Sequence, residues 1–214
     1  MTRVIGGWVE EGYEEVRDTT SLEETMQLDR LDDLLEDQIL DLYSAETQIL
    51  KALPRMSKIA ASEALRDALE RHMKETEEHV TRLEKIGVLL DLKLRGKKCL
   101  GMEGLIKESK EVLESDGDES VIDAAIIGAA RRVEHYEVAA YGTACALARR
   151  LGEHEVVELL SANLMEEERA DETLNRIAEE EVNPGALAGA EESASEEEEE
   201  EESSRAGKEI RPEG

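Results

Sequence analysis

Apolar residues recur along the middle of the chain at the three- and four-residue spacing of an amphipathic helix. Leu31, Leu35, Ile39, Leu42, Ile49, Leu53 and Met56 keep one stripe. Ser21 followed by Glu24 is a capping-box pattern that would let this first helix begin early. Pro54 is expected to bend its last turn. A second stripe, Leu65, Leu69, Leu83 and Ile86, predicts a helix from about Ser62 to Leu90. The stretch Arg95-Gly96-Lys97-Lys98-Cys99-Leu100-Gly101 is irregular. A short helix from about Met102 to Glu114 follows, stopped by Asp116-Gly117-Asp118. The third long helix runs from about Glu119 to Leu151 on Ile127, Ala130, Val133, Tyr141, Ala144 and Ala148, with Gly152 as its C-cap. The fourth runs from about Glu153 to Glu181 on Val157, Leu160, Leu164, Leu174 and Ile177.

The connections set the topology. The first and second helices meet in a tight turn near residues 60–62, the third and fourth in a tight turn at Gly152. Short turns make antiparallel neighbours. The link between the two hairpins is long and carries a helix of its own. Two helical hairpins joined by one long crossover make an all-α, ferritin-like four-helix bundle, here spanning residues 21–182. Residues 1–20, with Gly6, Gly7, Gly12 and many acids, read as a flexible acidic arm. Asn183-Pro184-Gly185 reads as a helix break. Beyond it the unbroken run Glu196–Glu202 repels itself, so residues 183–214 read as a disordered tail.

Ionisable residues interrupt every stripe. Glu46 lies four after Leu42 and seven before Leu53, so it faces the core. On the second helix His72, Glu75 and His79 fall within roughly 60° of one another at the helical period. Glu134 and Glu137 are spaced i, i+3 on the third, with Tyr141 seven beyond Glu134. Glu168 and Asp171 are spaced i, i+3 on the fourth, four and seven after Leu164, with Glu167 near the same face. Several ionised carboxylates in one interior each cost several kcal/mol, together more than the roughly 5–15 kcal/mol net stability of a domain. Two divalent cations held by carboxylates and imidazoles would neutralise them. The competing reading is salt bridging. Arg82 is seven after Glu75 and Arg131 three before Glu134, and either could reach inward.

Composition sharpens this picture. There are 54 acidic and 26 basic residues, a net charge of −28, of which only −8 comes from residues 182–214. Such a field repels phosphate backbones and anionic membranes, so neither nucleic acid nor membrane is an expected partner, whereas divalent cations are. Aromatics are 2 %, with no Phe, which argues against a β-sandwich or barrel. No run reaches the roughly 18–20 apolar residues of a membrane span. Residues 1–20 lack an apolar signal core, and two cysteines make no disulfide framework, so a cytoplasmic location is expected. His154, Tyr43 and Tyr136 read as boundary residues, Cys145 as a small core filler, and Lys97-Lys98 as a solvated basic loop or a partner site.

Several of these segments carry a resemblance. Asp41-Leu-Tyr-Ser-Ala-Glu46 with Ala52-Leu-Pro54, His72-x-x-Glu75-Thr76, Gly96-Lys-Lys-Cys99 with Met102-Glu-Gly104, Val133-Glu-His-Tyr-Glu-Val-Ala-Ala-Tyr-Gly142 and Glu166-Glu-Glu-x-Ala-Asp171 resemble, in order, the YciE/YciF-like family of ferritin-like, rubrerythrin-related proteins. The likeness covers about residues 28–180. It implies a bundle that is often dimeric, a dinuclear Fe or Mn centre and an association with bacterial stress responses. Glu46, Glu75, Glu134 and Glu137 fit the family's ligand pattern, with His79, Glu168 and Asp171 completing the candidate set and His72, Glu78, Glu167 and Tyr141 beside it. The chain departs from related di-iron bundles in reading Glu75-x-x-Glu78, with His79 one step later, and Glu168-x-x-Asp171, which offers no histidine. An oxygen-rich site of this kind suits Mn as well as Fe. The expected chemistry is reaction with O2 or peroxide, Tyr141 lending an electron or ordering the ligands. The alternative is a non-enzymatic stress protein whose metal is structural.

Overall fold

The computed structural model describes residues 28–189. The acidic arm at 1–20, the Ser21/Glu24 pattern and the glutamate run at 196–202 lie outside them. Five helices follow in order: α1 (Leu31–Ile59), α2 (Glu63–Leu89), α3 (Leu100–Leu113), α4 (Glu119–Leu151) and α5 (His154–Ile177). There is no strand among the described residues.

Local chemistry sets the helix ends. Arg30 caps α1, and its backbone N–H donates to the Asp33 carboxylate at 2.9 Å. Among the described residues the helix starts at Leu31. It continues through Pro54 to Ile59. Ser62 caps α2 by accepting from Leu65 N–H at 3.2 Å. Asp123 of α4, only 2 % exposed, accepts from the backbone N–H groups of Ala61 and Ser62 and pins this turn to the opposite hairpin. Asp118 accepts from Ser120 N–H and Val121 N–H at the start of α4. Gly152 closes α4 at φ 82°, a left-handed conformation that a side chain would strain.

The end of α5 departs from the sequence expectation. Asn183-Pro184-Gly185 does not break the helix. A wider π turn spans Ala178–Val182, and residues 183–189 remain helical. Proline lacks an N–H and its ring crowds the preceding turn. The π turn ends just before Pro184, with Asn183 N–H bonded five residues back to the Ala178 carbonyl. That loosened turn gives the ring room. Val182, 4 % exposed, anchors it to the core.

α1 pairs with α2 and α4 with α5; α1 also packs on α4 and α2 on α5, while α3 lies across α1 and α4. The core is in two parts. One holds Ile49, Leu53, Leu65, Leu69, Ile126, Ile127 and Leu174. The other holds Leu35, Ile39, Leu42, Leu83, Ile86, Ala144 and Leu160. The residues between them along the helices are the ionisable ones.

Candidate metal centre

All four long helices contribute to this middle layer. Glu46 comes from α1, His72 and His79 from α2, Glu134 and Glu137 from α4, and Glu167 from α5. None is more than 5 % exposed. Their donor atoms form two groups. His72, Glu134, Glu137 and Glu167 make one and Glu46, His79 and Glu167 the other, each with its donors within 4.8 Å of one another. Glu167 belongs to both.

His72 Nε2 lies 3.5 Å from Glu134 and 3.8 Å from Glu167. His79 Nδ1 lies 3.3 Å from Glu46 and 2.9 Å from Glu167. Its other nitrogen, Nε2, is 2.9 Å from Glu166, which Arg82 holds in turn. Tyr141 donates to Glu46 and accepts from the Asn163 amide at 2.9 Å. Arg82 donates to the Asn163 carbonyl at 2.8 Å. A chain of hydrogen bonds thus runs from Arg82 through Asn163 and Tyr141 to Glu46.

The inner atoms lack such partners. Both oxygens of Glu137, both of Glu167, both ring nitrogens of His72, one oxygen each of Glu46 and Glu134, and His79 Nδ1 are buried without a hydrogen bond. An orphaned buried polar atom costs about 1–3 kcal/mol, and here nine converge on one place. Burial, then the charge of Glu167, pushes the Glu134 and Glu137 carboxyls well above the usual range. Burial raises Glu46 as well. Burial opposes the Glu167 charge, but His72 and His79 outweigh it and hold that carboxyl low. Burial also opposes the charge on His79, yet the adjoining carboxylates of Glu167 and Glu46 carry its pKa up to about 10. Four carboxylates at this spacing need added positive charge to ionise together. Carboxylate and imidazole donors in this number suit Fe or Mn, so the residues present fit such a metal.

The sequence candidates divide. Glu46, His79, Glu134 and Glu137 stand in the cluster, joined by His72 and Glu167, and Tyr141 adjoins it. Glu75 sits on the flank of α2, half-buried, and accepts from Arg169 at 2.7 Å. Glu78 and Glu168 are exposed. Asp171 pairs with Arg131 at 2.7 Å and with His135 at 3.1 Å. The buried face of α5 runs Val156, Leu160, Asn163, Glu167, Leu174 and Ile177; it shares Leu160, Leu174 and Ile177 with the expected stripe but takes Val156 and Asn163 one residue before Val157 and Leu164. That offset turns Glu168 and Asp171 outward and Glu167 inward. Arg82 and Arg131 pair with Glu166 and Asp171, not with Glu75 and Glu134. Sequence reasoning missed Asn163 and Glu166. Asn163 could have been found as the residue between Leu160 and Glu167 on a 4-3-4 spacing.

Two antiparallel hairpins with a long crossover, and carboxylates and imidazoles from all four long helices between two apolar layers, define a ferritin-like bundle. The chain belongs to the family described as Domain of unknown function (DUF892), whose model matches residues 30–187. It is similar to Protein YciF of Escherichia coli (strain K12), at 38 % identity over 162 residues, 75 % of this chain and 98 % of that protein. The crystal structure of the E. coli stress protein YciF superposes with a TM-score of 0.70 at 38 % identity, covering 73 % of this chain and 99 % of that one. YcfI of Rhodopseudomonas palustris does so with a TM-score of 0.68 at 40 % identity, covering 72 % and 98 %. A protein of Xanthomonas campestris pv. campestris shares the fold, with a TM-score of 0.60 at 20 % identity over 77 % of this chain and 99 % of that one. No helix among the described residues is long and apolar enough to cross a membrane.

Proposed function

We propose that the buried cluster holds two divalent transition-metal ions, iron or manganese, and that the protein acts in a stress response by reacting there with O2 or peroxide. The observation that carries this reading is the pair of donor groups sharing Glu167, with nine orphaned buried atoms aimed between them. His72, Glu134, Glu137 and Glu167 would hold one ion, and Glu46, His79 and Glu167 the other. Such a pair, when bound, supplies Lewis acidity and two electrons for cleaving an O–O bond.

The chain's own groups prepare that site. Glu166 accepts from the Nε2–H of His79, which leaves Nδ1 directed at Glu46 and Glu167. Tyr141, steadied by Asn163, donates to one Glu46 oxygen and leaves the other free. The apolar layers keep bulk water out. Beside Glu134 lies a cavity of about 20 Å³ lined mainly by apolar residues, among them Ile49, Leu53, Met56, Ile106 and Val133.

Full-length protein reconstituted anaerobically with Fe(II) or Mn(II) should contain close to two ions per chain, and the loaded protein should consume peroxide. Glu134→Gln should lower metal content while leaving the metal-free protein as stable as the wild type, since among the described residues no arginine pairs with Glu134. A wild type that takes up no metal, and melts at the same temperature with and without it, overturns the reading. The enclosure of the cluster also favours a second reading, in which the metal is structural. Two ions per chain with no peroxide turnover is its signature.

A further inference from the structure

The cluster is closed by apolar layers along the bundle axis. Between α2 and α5 its cover is partly polar. A cavity of about 20 Å³ lies there, lined among others by His72, Glu75, Glu134 and Arg169. Side-chain exposure falls steadily along these four, from 59 % at Arg169 to 21 % at Glu75, 6 % at His72 and 3 % at Glu134. They therefore mark a path from solvent to the cluster. At its outer end Arg169 donates to Glu75 at 2.7 Å. At its inner end both nitrogens of His72 and one oxygen of Glu134 have no hydrogen-bond partner.

We propose that this cleft is the port by which a divalent cation reaches the cluster, with Glu75 its receiving carboxylate and Arg169 the cap that occupies Glu75 until a cation arrives. The inference rests on the reading of the cluster as a metal site and deepens it. A cation moving into low dielectric sheds water at each step and needs an anionic oxygen in exchange. Glu75 is the carboxylate at the half-buried depth where that exchange must begin, and His72 lies one helical turn along the same face. The cavity on the other side of Glu134 is lined by apolar residues and Ser109, and carries no carboxylate besides Glu134 itself. Arg169 can leave easily, because an ion pair exposed to this degree is weak and screened. The surrounding negative field concentrates cations at the mouth.

The test is the rate of Co(II) uptake by metal-free, full-length protein under argon, followed by the absorbance of bound Co(II), with stoichiometry and affinity measured at equilibrium. Glu75→Gln should slow uptake and release alike, at least tenfold, and leave stoichiometry and affinity unchanged. Arg169→Ala should speed uptake severalfold. Glu78→Gln, on the exposed face of the same helix, should change neither. Loss of bound metal in Glu75→Gln would make Glu75 a ligand and end the port assignment. An unchanged rate in Glu75→Gln would end it too. A wild type that binds no Co(II) would instead remove the metal reading itself, so the two failures are distinguishable.

Discussion

His79 and Glu166 meet at 2.9 Å, and through that contact a residue on the rim of the cluster sets the orientation of one at its centre. The Glu166 carboxylate is anchored by Arg82, whose guanidinium holds it below the usual carboxylate range against the opposing effect of burial. An anionic acceptor at Nε2 fixes the proton there and leaves Nδ1 facing Glu46 and Glu167. Outer partners of this kind typically contribute 10–100-fold in metal affinity. Glu166→Gln should therefore weaken metal binding by about that factor while two sites per chain still fill at saturation. Titration with Mn(II) followed by calorimetry checks it, and loss of half the sites would instead make Glu166 a ligand.

Adjacent residues on α5 give a sharper contrast. Glu167 is 0 % exposed and belongs to both donor groups, whereas Glu168 is exposed. Glu167→Gln should abolish most metal uptake. Glu168→Gln should leave metal content unchanged and shift stability by less than about 0.5 kcal/mol. Metal analysis of the two variants side by side decides the matter, and equal losses would contradict the observed helix phase.

That contrast shows where sequence reading stopped. The ends of α4 at Glu119 and Leu151 were legible because Asp118 and Gly152 are strong local signals. The α2 heptads were legible from Leu65, Leu69, Leu83 and Ile86, and they carry His72 and His79 inward at matching spacing. On α5 the same logic slipped by one residue. Its buried face passes through Asn163 and Glu167, which are polar for the sake of the cluster, so the hydrophobic pattern fades where function is densest. Leu164, half-buried beside that face, gave the stronger apolar signal. Glu166 was not legible at all, since only the packing of α2 against α5 brings it to His79. The continuation past Pro184 was hidden for another reason: a π turn is a backbone adjustment with no residue signature.

The protons held by the cluster predict that stability falls with rising pH in the metal-free protein and much less in the metal-loaded one. Burial raises the Glu134 and Glu137 carboxyls, and neighbouring carboxylates raise His79 to about 10 despite its burial. A raised folded pKa contributes stability that is full below the unfolded value and is lost as pH rises through the folded one. The metal-free protein should thus lose stability as pH rises from neutrality towards 10. Ligands must shed those protons to coordinate, so metal binding should release protons and tighten over the same range. Melting scans in EDTA and in Mn(II) across this range should show a widening gap. A gap independent of pH would mean that the bound metal displaces no protons.

Glu137 should stabilise the protein only when metal is present. Neither of its oxygens has a hydrogen-bond partner, and it is 0 % exposed. Glu137→Leu removes two orphaned oxygens at nearly constant volume. The metal-free variant should be more stable than the wild type by about 1–3 kcal/mol, the usual cost of a buried unsatisfied polar group. The stabilisation on adding Mn(II) should shrink or vanish. Urea unfolding with and without metal measures both, and a metal-free variant less stable than the wild type would show Glu137 to be structurally paired.

The crossover is fastened by a separate polar network, and its loss should reach stability without reaching the metal. Tyr136 donates to Asp41 at 2.7 Å and contacts the Cys99 thiol at 2.9 Å. Cys99 is itself held by Ser44, which accepts from its N–H at 2.9 Å, and by Gln48, which donates to its carbonyl at 3.1 Å. Lys97, expected in a solvated loop or a partner site, instead pairs with Asp37 and lies 3.7 Å from Asp41. Burial, then Cys99 and Asp41, push the Tyr136 phenol upward, so it stays a donor throughout the ordinary pH range. Gly101 passes so close that a Cβ there would lie 2.8 Å from the Tyr136 ring. Tyr136 and Glu137 are consecutive on α4, yet only Glu137 belongs to the cluster, so the network and the cluster are distinct. Tyr136→Phe should cost about 1–3 kcal/mol, because Asp41 and Cys99 lose a shared partner. Gly101→Ala should destabilise as well, through the ring it displaces. Both variants should still take up metal at the wild-type ratio. Urea unfolding combined with metal analysis tests this, and a Tyr136→Phe protein of normal stability but lowered metal content would tie the crossover to the cluster after all.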